Sequence, residues 1–259
     1  MKWFFGFNAE TSYYQDYISL IKVAVNSAKL VSPTLEPHMI YDGSPCPLTE
    51  WATKKGVTIH YIRSRYYKYF HSLKWGNDNM KTASGAFLRA EIPELVKKNY
   101  DDKYVLYTDC DVIFTGKVEL DDLKPKHFAA APEIRQNDFS YFNSGVMLMN
   151  IEAMHRDRDK FQKLVLTSPV EILRATYDQN IYNILYKKKW DILPNEYNWK
   201  PYWGANNNAK IIHLHGLKGI NLENRLKEMK VEPVLDWMYR QSPANYRSIY
   251  ERTVMLKAM

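Results

Sequence analysis

Residues 104–114 read YVLYTDCDVIF. A β-prone, largely apolar run meets two carboxylates, Asp109 and Asp111, separated by one cysteine, and an apolar tripeptide comes next. Burying charge is unfavourable unless it is paired or ligated, so the pattern predicts a core strand that stops at Thr108. Residues i and i+2 of a strand share a side, and loop geometry can bring the two acids together as well. Like charges that close oppose each other's ionisation unless a cation lies between them. Mg²⁺ or Mn²⁺ takes carboxylate oxygens at about 2.1 Å and leaves positions open for phosphates. The alternative is a solvated turn with Asp109 capping the next segment, which the apolar residues on both sides argue against.

Upstream, WFFGF (3–7) predicts a first strand and TSYYQDYISLIKVAVNSAKL (11–30) a helix, its apolar face formed by Tyr14, Ile18, Ile21, Val25 and Ala28. HMIYDG (38–43) predicts a second strand, LTEWATKKG (48–56) a helix with Thr49 as N-cap and Gly56 closing it, and VTIHYI (57–62) a third strand. Strands and helices alternating through short links belong to a parallel sheet covered by helices. In such sheets ligands bind beyond the carboxyl ends of the strands, which is where the acidic pair stands. Residues 64–80, including Trp75, lack periodicity and read as a loop. ASGAFLRAEIPELVKKN (83–99) reads as a helix bent near Pro93.

Downstream, HFAAAPEI, YFNSGVMLMNI, KWDILP and KIIHLHG predict strands, while RDKFQKLVL, DQNIYNILYKK and most of 221–259 predict helices. Three of these stretches carry chemistry. In KIIHLHGLKG (210–219) an apolar strand ends in His213 and His215, followed by Gly216 and Lys218. An imidazole can complete a carboxylate metal site, Gly216 lets backbone approach a phosphate, and Lys218 puts a point charge on it. In YFNSGVMLMN (141–150), Asn143, Ser144 and Gly145 form a polar tripeptide entering an apolar strand, equally readable as a plain turn. In TYDQN (176–180), Asp178 reads as a helix cap and Gln179 as an amide available to a sugar.

Bulk properties narrow the function classes. The 259 residues carry a formal net charge of +7 and suit acidic partners such as nucleotides or phosphates. The basic residues are scattered apart from Lys187–Lys189, with no zinc-finger spacing or RNA-binding signature, so nucleic acid is not the expected partner. Cys46 and Cys110 suggest no disulfide framework, and no run of about 18 apolar residues predicts a membrane span. The expected localisation is cytoplasmic. The rings and cations Trp237, Tyr239, Arg240, Tyr246, Arg247 and Tyr250 allow peripheral docking on an anionic membrane. Glu228, Glu232 and Asp236 favour an ordinary packed helix there.

In this order the motifs resemble those of GT-A glycosyltransferases, family 8 above all, over residues 3 to about 220. The helix and strand AFLRAEIPELVKKNYDDKYVLYTDCDVIF resemble that family's arginine-bearing helix and D-x-D strand. FNSGVMLMN resembles its sugar-side strand, YDQN its D-Q-D segment, and IIHLHGLKG its H-x-x-G-x-x-K-P-W segment. The resemblance implies an α/β, Rossmann-like catalytic domain over 1–220, with a mostly parallel central sheet flanked by helices, and a helical extension over 221–259 packed on it. It implies a hexose transferase acting from a nucleotide-diphosphate sugar, UDP-glucose or UDP-galactose, on a glycan or lipid-linked sugar hydroxyl, with Mn²⁺ or Mg²⁺ as cofactor.

Position by position, it implies Asp109, Asp111 and His213 as metal ligands, with Asp109 also touching the donor. Gly216 and Lys218 would contact the diphosphate and Asn8 the base and ribose. Arg89 would contact sugar or phosphates, and Asn143, Ser144 and Gly145 would line the sugar pocket with Asp178 and Gln179, which stand nearest the chemistry. Three departures are visible. Asn180 replaces the second acid of D-Q-D, Lys218 lies one residue nearer His213 with Gly219-Ile220 in place of Pro-Trp, and His215 is an extra imidazole. A retaining enzyme would use Gln179 near the reacting face, whereas an inverting one would need a base such as Asp178 or Glu133. Two rival classes remain at this level. One is a D-x-D phosphohydrolase with Asp109 as nucleophile, disfavoured because Ile113 stands after the motif where Thr or Val is usual. The other is a non-catalytic nucleotide-sugar-binding module.

Overall fold

The computed structural model describes residues 1–73 and 76–259. The chain begins β1 (Lys2–Asn8), α1 (Tyr14–Val31), β2 (Glu36–Asp42), α2 (Pro47–Lys54) and β3 (Thr58–Tyr61), the alternation expected from the sequence. Helix α2 is capped by Cys46 and not by Thr49. Thr49 is the third residue of the helix, and its hydroxyl accepts the Cys46 N–H at 2.9 Å and donates to the Cys46 carbonyl.

The stretch 64–80, expected as a loop, contains α3 (Tyr67–Ser72) and the start of α4 (Asn77–Ala86); Trp75 lies outside the described residues. The helix expected over 83–99 is divided into α4, a 3-10 turn at Phe87–Glu91 and α5 (Ile92–Asn99). Pro93 sits in the first turn of α5, where its missing N–H is not needed, so the break falls before it.

The stretch YVLYTDCDVIF forms two strands, β4 (Tyr104–Thr108) and β5 (Val112–Phe114), interrupted by the acidic pair. Next come β6 (Phe128–Pro132), β7 (Phe142–Asn150), α6 (Ile151–Arg156), α7 (Arg158–Thr167), α8 (Val170–Thr176), α9 (Asp178–Leu185) and β8 (Asp191–Ile192). The last elements are β9 (Ile211–His213), α10 (Gly219–Leu226), α11 (Pro233–Gln241) and α12 (Pro243–Lys257). Helices α6 and α8 are too short for periodicity to announce them. No helix among the described residues is long and apolar enough to cross a membrane.

Two compact units share the chain. The first comprises Met1–Ser12, Glu36–Thr108 and Leu120–Leu193. It holds a seven-stranded sheet in the order β3-β2-β1-β4-β7-β6-β8. β3, β2, β1 and β4 run parallel, β7 is antiparallel to both β4 and β6, and β8 is parallel to β6. Its core gathers Phe4, Phe87, Val105, Tyr107, Phe128 and Met147, all buried. A sheet covered on both faces needs continuous apolar strands, which is why FFGF and VLY read so clearly.

The second unit comprises Tyr13–Leu35, Asp109–Glu119 and Pro194–Met259, so the division runs repeatedly through the chain and not once at residue 220. β5 and β9 pair antiparallel, with Val112 opposite His213. Leu20 and Val23 of α1 pack with Ile113, Leu214, Ile249 and Leu256, and Asn26 Nδ2 donates to the Leu256 carbonyl at 2.9 Å. The tail therefore contributes to a core through α12.

In the first unit His38 and His60 face each other from neighbouring strands, Nδ1 to Nε2 at 3.0 Å, with rings stacked and with Phe4 beneath His38. One proton fits between those nitrogens, so the contact disfavours charging both rings at once. Burial, then the charges of His60 and Lys2, push His38 down from 6.5 to about 4, and burial lowers His60 too. The unfolded chain thus binds more protons below pH 6.5. Stability is full above that value and falls by up to about 3 kcal/mol between pH 6.5 and pH 4. Urea midpoints at pH 7.5 and pH 4.5 measure this loss, and His38→Phe is expected to flatten the difference.

Candidate active site

In the second unit the acids stand just ahead of β5. Asp111 precedes Val112, whose pairing with His213 brings the β9 imidazole alongside, and the Leu214 N–H donates to the Asp111 carbonyl at 2.8 Å. His213 Nε2 lies 3.4 Å from Asp111 Oδ1 and 3.8 Å from Asp109 Oδ2. One donor atom from each of Asp109, Asp111 and His213 falls within 4.8 Å of the other two. Asp111 and His213 are buried, while Asp109 keeps 32% of its side chain exposed.

His213 Nδ1 faces the Asn198 side-chain oxygen at 3.1 Å. That oxygen only accepts, so Nδ1 carries a proton, and Nε2 is the ring nitrogen turned toward the acids and placed to bind a cation. Two carboxylate oxygens and one imidazole nitrogen form a donor set that fits Mn²⁺ or Mg²⁺. His215, the extra imidazole, is turned elsewhere, with Nδ1 3.1 Å from the Tyr202 hydroxyl.

Lys218 Nζ is salt-bridged to Asp111 Oδ2. Burial alone would raise the Asp111 pKa, but Lys218 and then His213 override it and hold the carboxyl far below the usual range. Burial likewise works against the Lys218 charge, and Asp111, with Tyr17 and Asp109, raises its pKa nonetheless. Gly216 shapes the turn between His213 and Lys218. Its φ of +82° suits glycine, and a Cβ there would lie 2.3 Å from Met238 Sδ. Gly216→Ala is expected to destabilise the protein by about 1–3 kcal/mol and to shift the turn that carries Lys218. Thermal unfolding reads the first effect and donor KM the second.

The first unit assembles a separate polar network. Arg89, from the 3-10 turn and buried, places Nε 2.6 Å from Asp178 Oδ2, donates through Nη1 to the Ser144 carbonyl, and lies 4.5 Å over the Tyr107 ring. Asp178 is the first residue of α9, and Tyr177 before it has φ +51°, a strained value for a non-glycine residue. Gln179 Oε1 accepts from the Ser144 N–H at 2.8 Å, the Ser144 hydroxyl at 3.2 Å and Asn143 Nδ2 at 3.3 Å. Asn143 Nδ2 also reaches Glu133 Oε2 at 2.7 Å, and its Oδ1 accepts the Gly145 N–H at 3.0 Å. Asn143, Ser144 and Gly145 lie inside β7, so the tripeptide is strand and not turn. Asn8, at the carboxyl end of β1, is buried and occupied internally. Its Nδ2 donates to the Lys81 carbonyl and its Oδ1 accepts the Glu10 N–H, both at 3.0 Å.

The model of the family described as "Glycosyl transferase family 8" matches residues 11–218. The chain belongs to glycosyl transferase family 8. It is 29% identical over 201 residues to glycosyltransferase GlyB of Streptococcus pneumoniae, covering 74% of this chain and 47% of GlyB. With GlyE of the same organism it shares 31% identity over 132 residues, 49% of this chain and 31% of GlyE. The chain thus spans about half or less of these relatives. Among solved structures, the galactosyltransferase LgtC in complex with donor and acceptor sugar analogs superposes with a TM-score of 0.62 at 18% identity, over 92% of this chain and all of LgtC. Apo GlyE superposes with a TM-score of 0.62 at 19% identity, over 98% of this chain and 64% of GlyE. These likenesses establish the GT-A fold.

Several residues beside these groups have no advance signal in the sequence. Asn198, Lys200 and Tyr202 lie in NEYNWKPYW, which has no periodicity and no motif spacing. Asn198 fixes the His213 tautomer and Tyr202 meets His215. Lys200 is fully buried, with Nζ 4.3 Å over the Trp203 ring. Asn180, which stands where family 8 has a second acid, accepts from the Tyr141 hydroxyl and donates to the Ile172 carbonyl at 2.8 Å. It thereby ties α9 to α8.

Proposed function

We propose that this chain transfers a hexose from UDP-glucose or UDP-galactose to a sugar hydroxyl of a glycan or lipid-linked acceptor, with Mn²⁺ or Mg²⁺ as cofactor. The convergence of Asp109, Asp111 and His213 in a family 8 chain carries this reading. Those three residues would hold the ion, which when bound supplies charge stabilisation for the departing diphosphate. The LgtC structure with donor and acceptor sugar analogs supports a sugar-nucleotide donor and a sugar acceptor.

The remaining work falls to the chain's own residues. Lys218 supplies positive charge for the diphosphate as negative charge grows on it. Arg89 orients the hexose and, by pairing with Asp178, fixes the start of α9. Gln179 and Asn143 present amides to the sugar, held in place by Ser144 and Glu133. Breaking the anomeric C–O bond gives the sugar oxocarbenium character, which Asp178 and the Gln179 carbonyl oxygen stabilise electrostatically. An acceptor hydroxyl attacks as UDP departs.

A donor panel tests this. UDP release with Mn²⁺, stopped by EDTA and fastest with a UDP-hexose, is the expected result. Turnover of simple phosphoesters without a nucleotide, or donor binding with neither hydrolysis nor transfer, would overturn it.

A further inference from the structure

We propose that Lys218 is an internal stand-in for the divalent ion: it neutralises Asp111 until the ion arrives, is then displaced, and becomes available to the donor diphosphate. The proposal rests on the reading of Asp109, Asp111 and His213 as a cation centre and adds a competition to it.

The geometry leads there. Both Asp111 oxygens are engaged, Oδ1 facing His213 Nε2 at 3.4 Å and Oδ2 salt-bridged to Lys218. A divalent ion drawing on the same carboxylate would meet an ammonium a few ångströms away, and like charges at that range repel strongly in a buried site. The two cations therefore exclude each other from Asp111, and the ion must displace Lys218 to gain that ligand.

The surroundings let Lys218 move. Its side chain keeps 27% exposure although Asp111 keeps 4%, so an outward path exists for the amine and not for the carboxylate. It comes after the positive-φ Gly216 and immediately precedes a second positive-φ glycine, Gly219.

The competition makes two affinities move in opposite directions, which a lysine serving only the diphosphate would not do. With Lys218→Met, Mn²⁺ binding without nucleotide, followed by titration calorimetry, is expected to tighten about tenfold. Binding of UDP at saturating Mn²⁺ is expected to weaken about tenfold or more. Unchanged or weaker Mn²⁺ binding by the variant, beside normal binding by the wild type, overturns the competition and leaves the metal centre standing. Failure of both proteins to bind Mn²⁺ overturns the metal centre and the competition together.

A measurement on the wild-type chain removes any dependence on the variant's folding. Mass-spectrometric footprinting with an amine-acylating reagent is expected to label Lys218 several-fold faster when Mn²⁺ is added and UDP is absent. Unchanged or slower labelling overturns the proposal.

Discussion

Asp111→Asn is expected to lower the Mn²⁺-dependent rate of UDP release by at least about a thousandfold, because it removes a buried anionic oxygen from the centre of the cation site. The substitution is nearly isosteric, so packing around β5 survives. Asparagine retains one neutral oxygen for His213 or Lys218 but carries no charge to balance a divalent ion. Lys218 loses its salt-bridge partner, and His213 keeps its Asn198 contact and its tautomer. Mn²⁺ affinity, measured without nucleotide, is expected to fall in parallel. Asp109→Asn provides the graded comparison, since Asp109 is a third exposed and lies 3.8 Å from His213. A smaller but still large loss is expected there. Wild-type turnover by Asp111→Asn would remove the metal centre from the reaction.

How much of the fold and site was legible in sequence depends on the range of the interactions. β1, β2 and β4 announce themselves because strands buried on both faces must be apolar throughout, and β4 must end where its acids begin. The roles of Asp109, Asp111 and His213 were approached through motif order, since their convergence depends on a strand pair joining residues about a hundred positions apart. Asn198 remained hidden for the same reason without a motif to help, and only its contact with His213 gives it a purpose. Asn143 to Gly145 are readable as a turn by residue type, yet pairing with β6, Glu133 just past it and Gln179 on α9 hold them in a strand. Tertiary hydrogen bonds from Glu133 and Gln179 there override local propensity. The sequence pattern suggests a phosphate contact for Lys218 but not its salt bridge to Asp111, because a pattern of residue types says nothing about where a long flexible side chain rests.

Arg89→Met is expected to destabilise the protein by about 3–5 kcal/mol, the range for breaking a buried ion pair from one side. Arg89 and Asp178 are both nearly inaccessible, at 4% and 2% side-chain exposure, so solvent cannot take over the charge of either. Methionine replaces the aliphatic stem but not the donor to the Ser144 carbonyl or the guanidinium over Tyr107. The remaining Asp178 carboxylate sits at the N-terminus of α9, where the helix dipole offsets only part of the loss, about 1 kcal/mol. The strained Tyr177 leading into α9 then loses one of the contacts that hold the turn in place. Adding Asp178→Asn to Arg89→Met removes the uncompensated charge and is expected to recover most of the stability, read as the urea midpoint. Donor turnover is not expected to recover, since neither side chain then presents charge to the sugar. An Arg89→Met midpoint equal to wild type would show that the pair contributes nothing net to folding. Recovery of both stability and activity in the double variant would show that Arg89 and Asp178 serve only the architecture of α9.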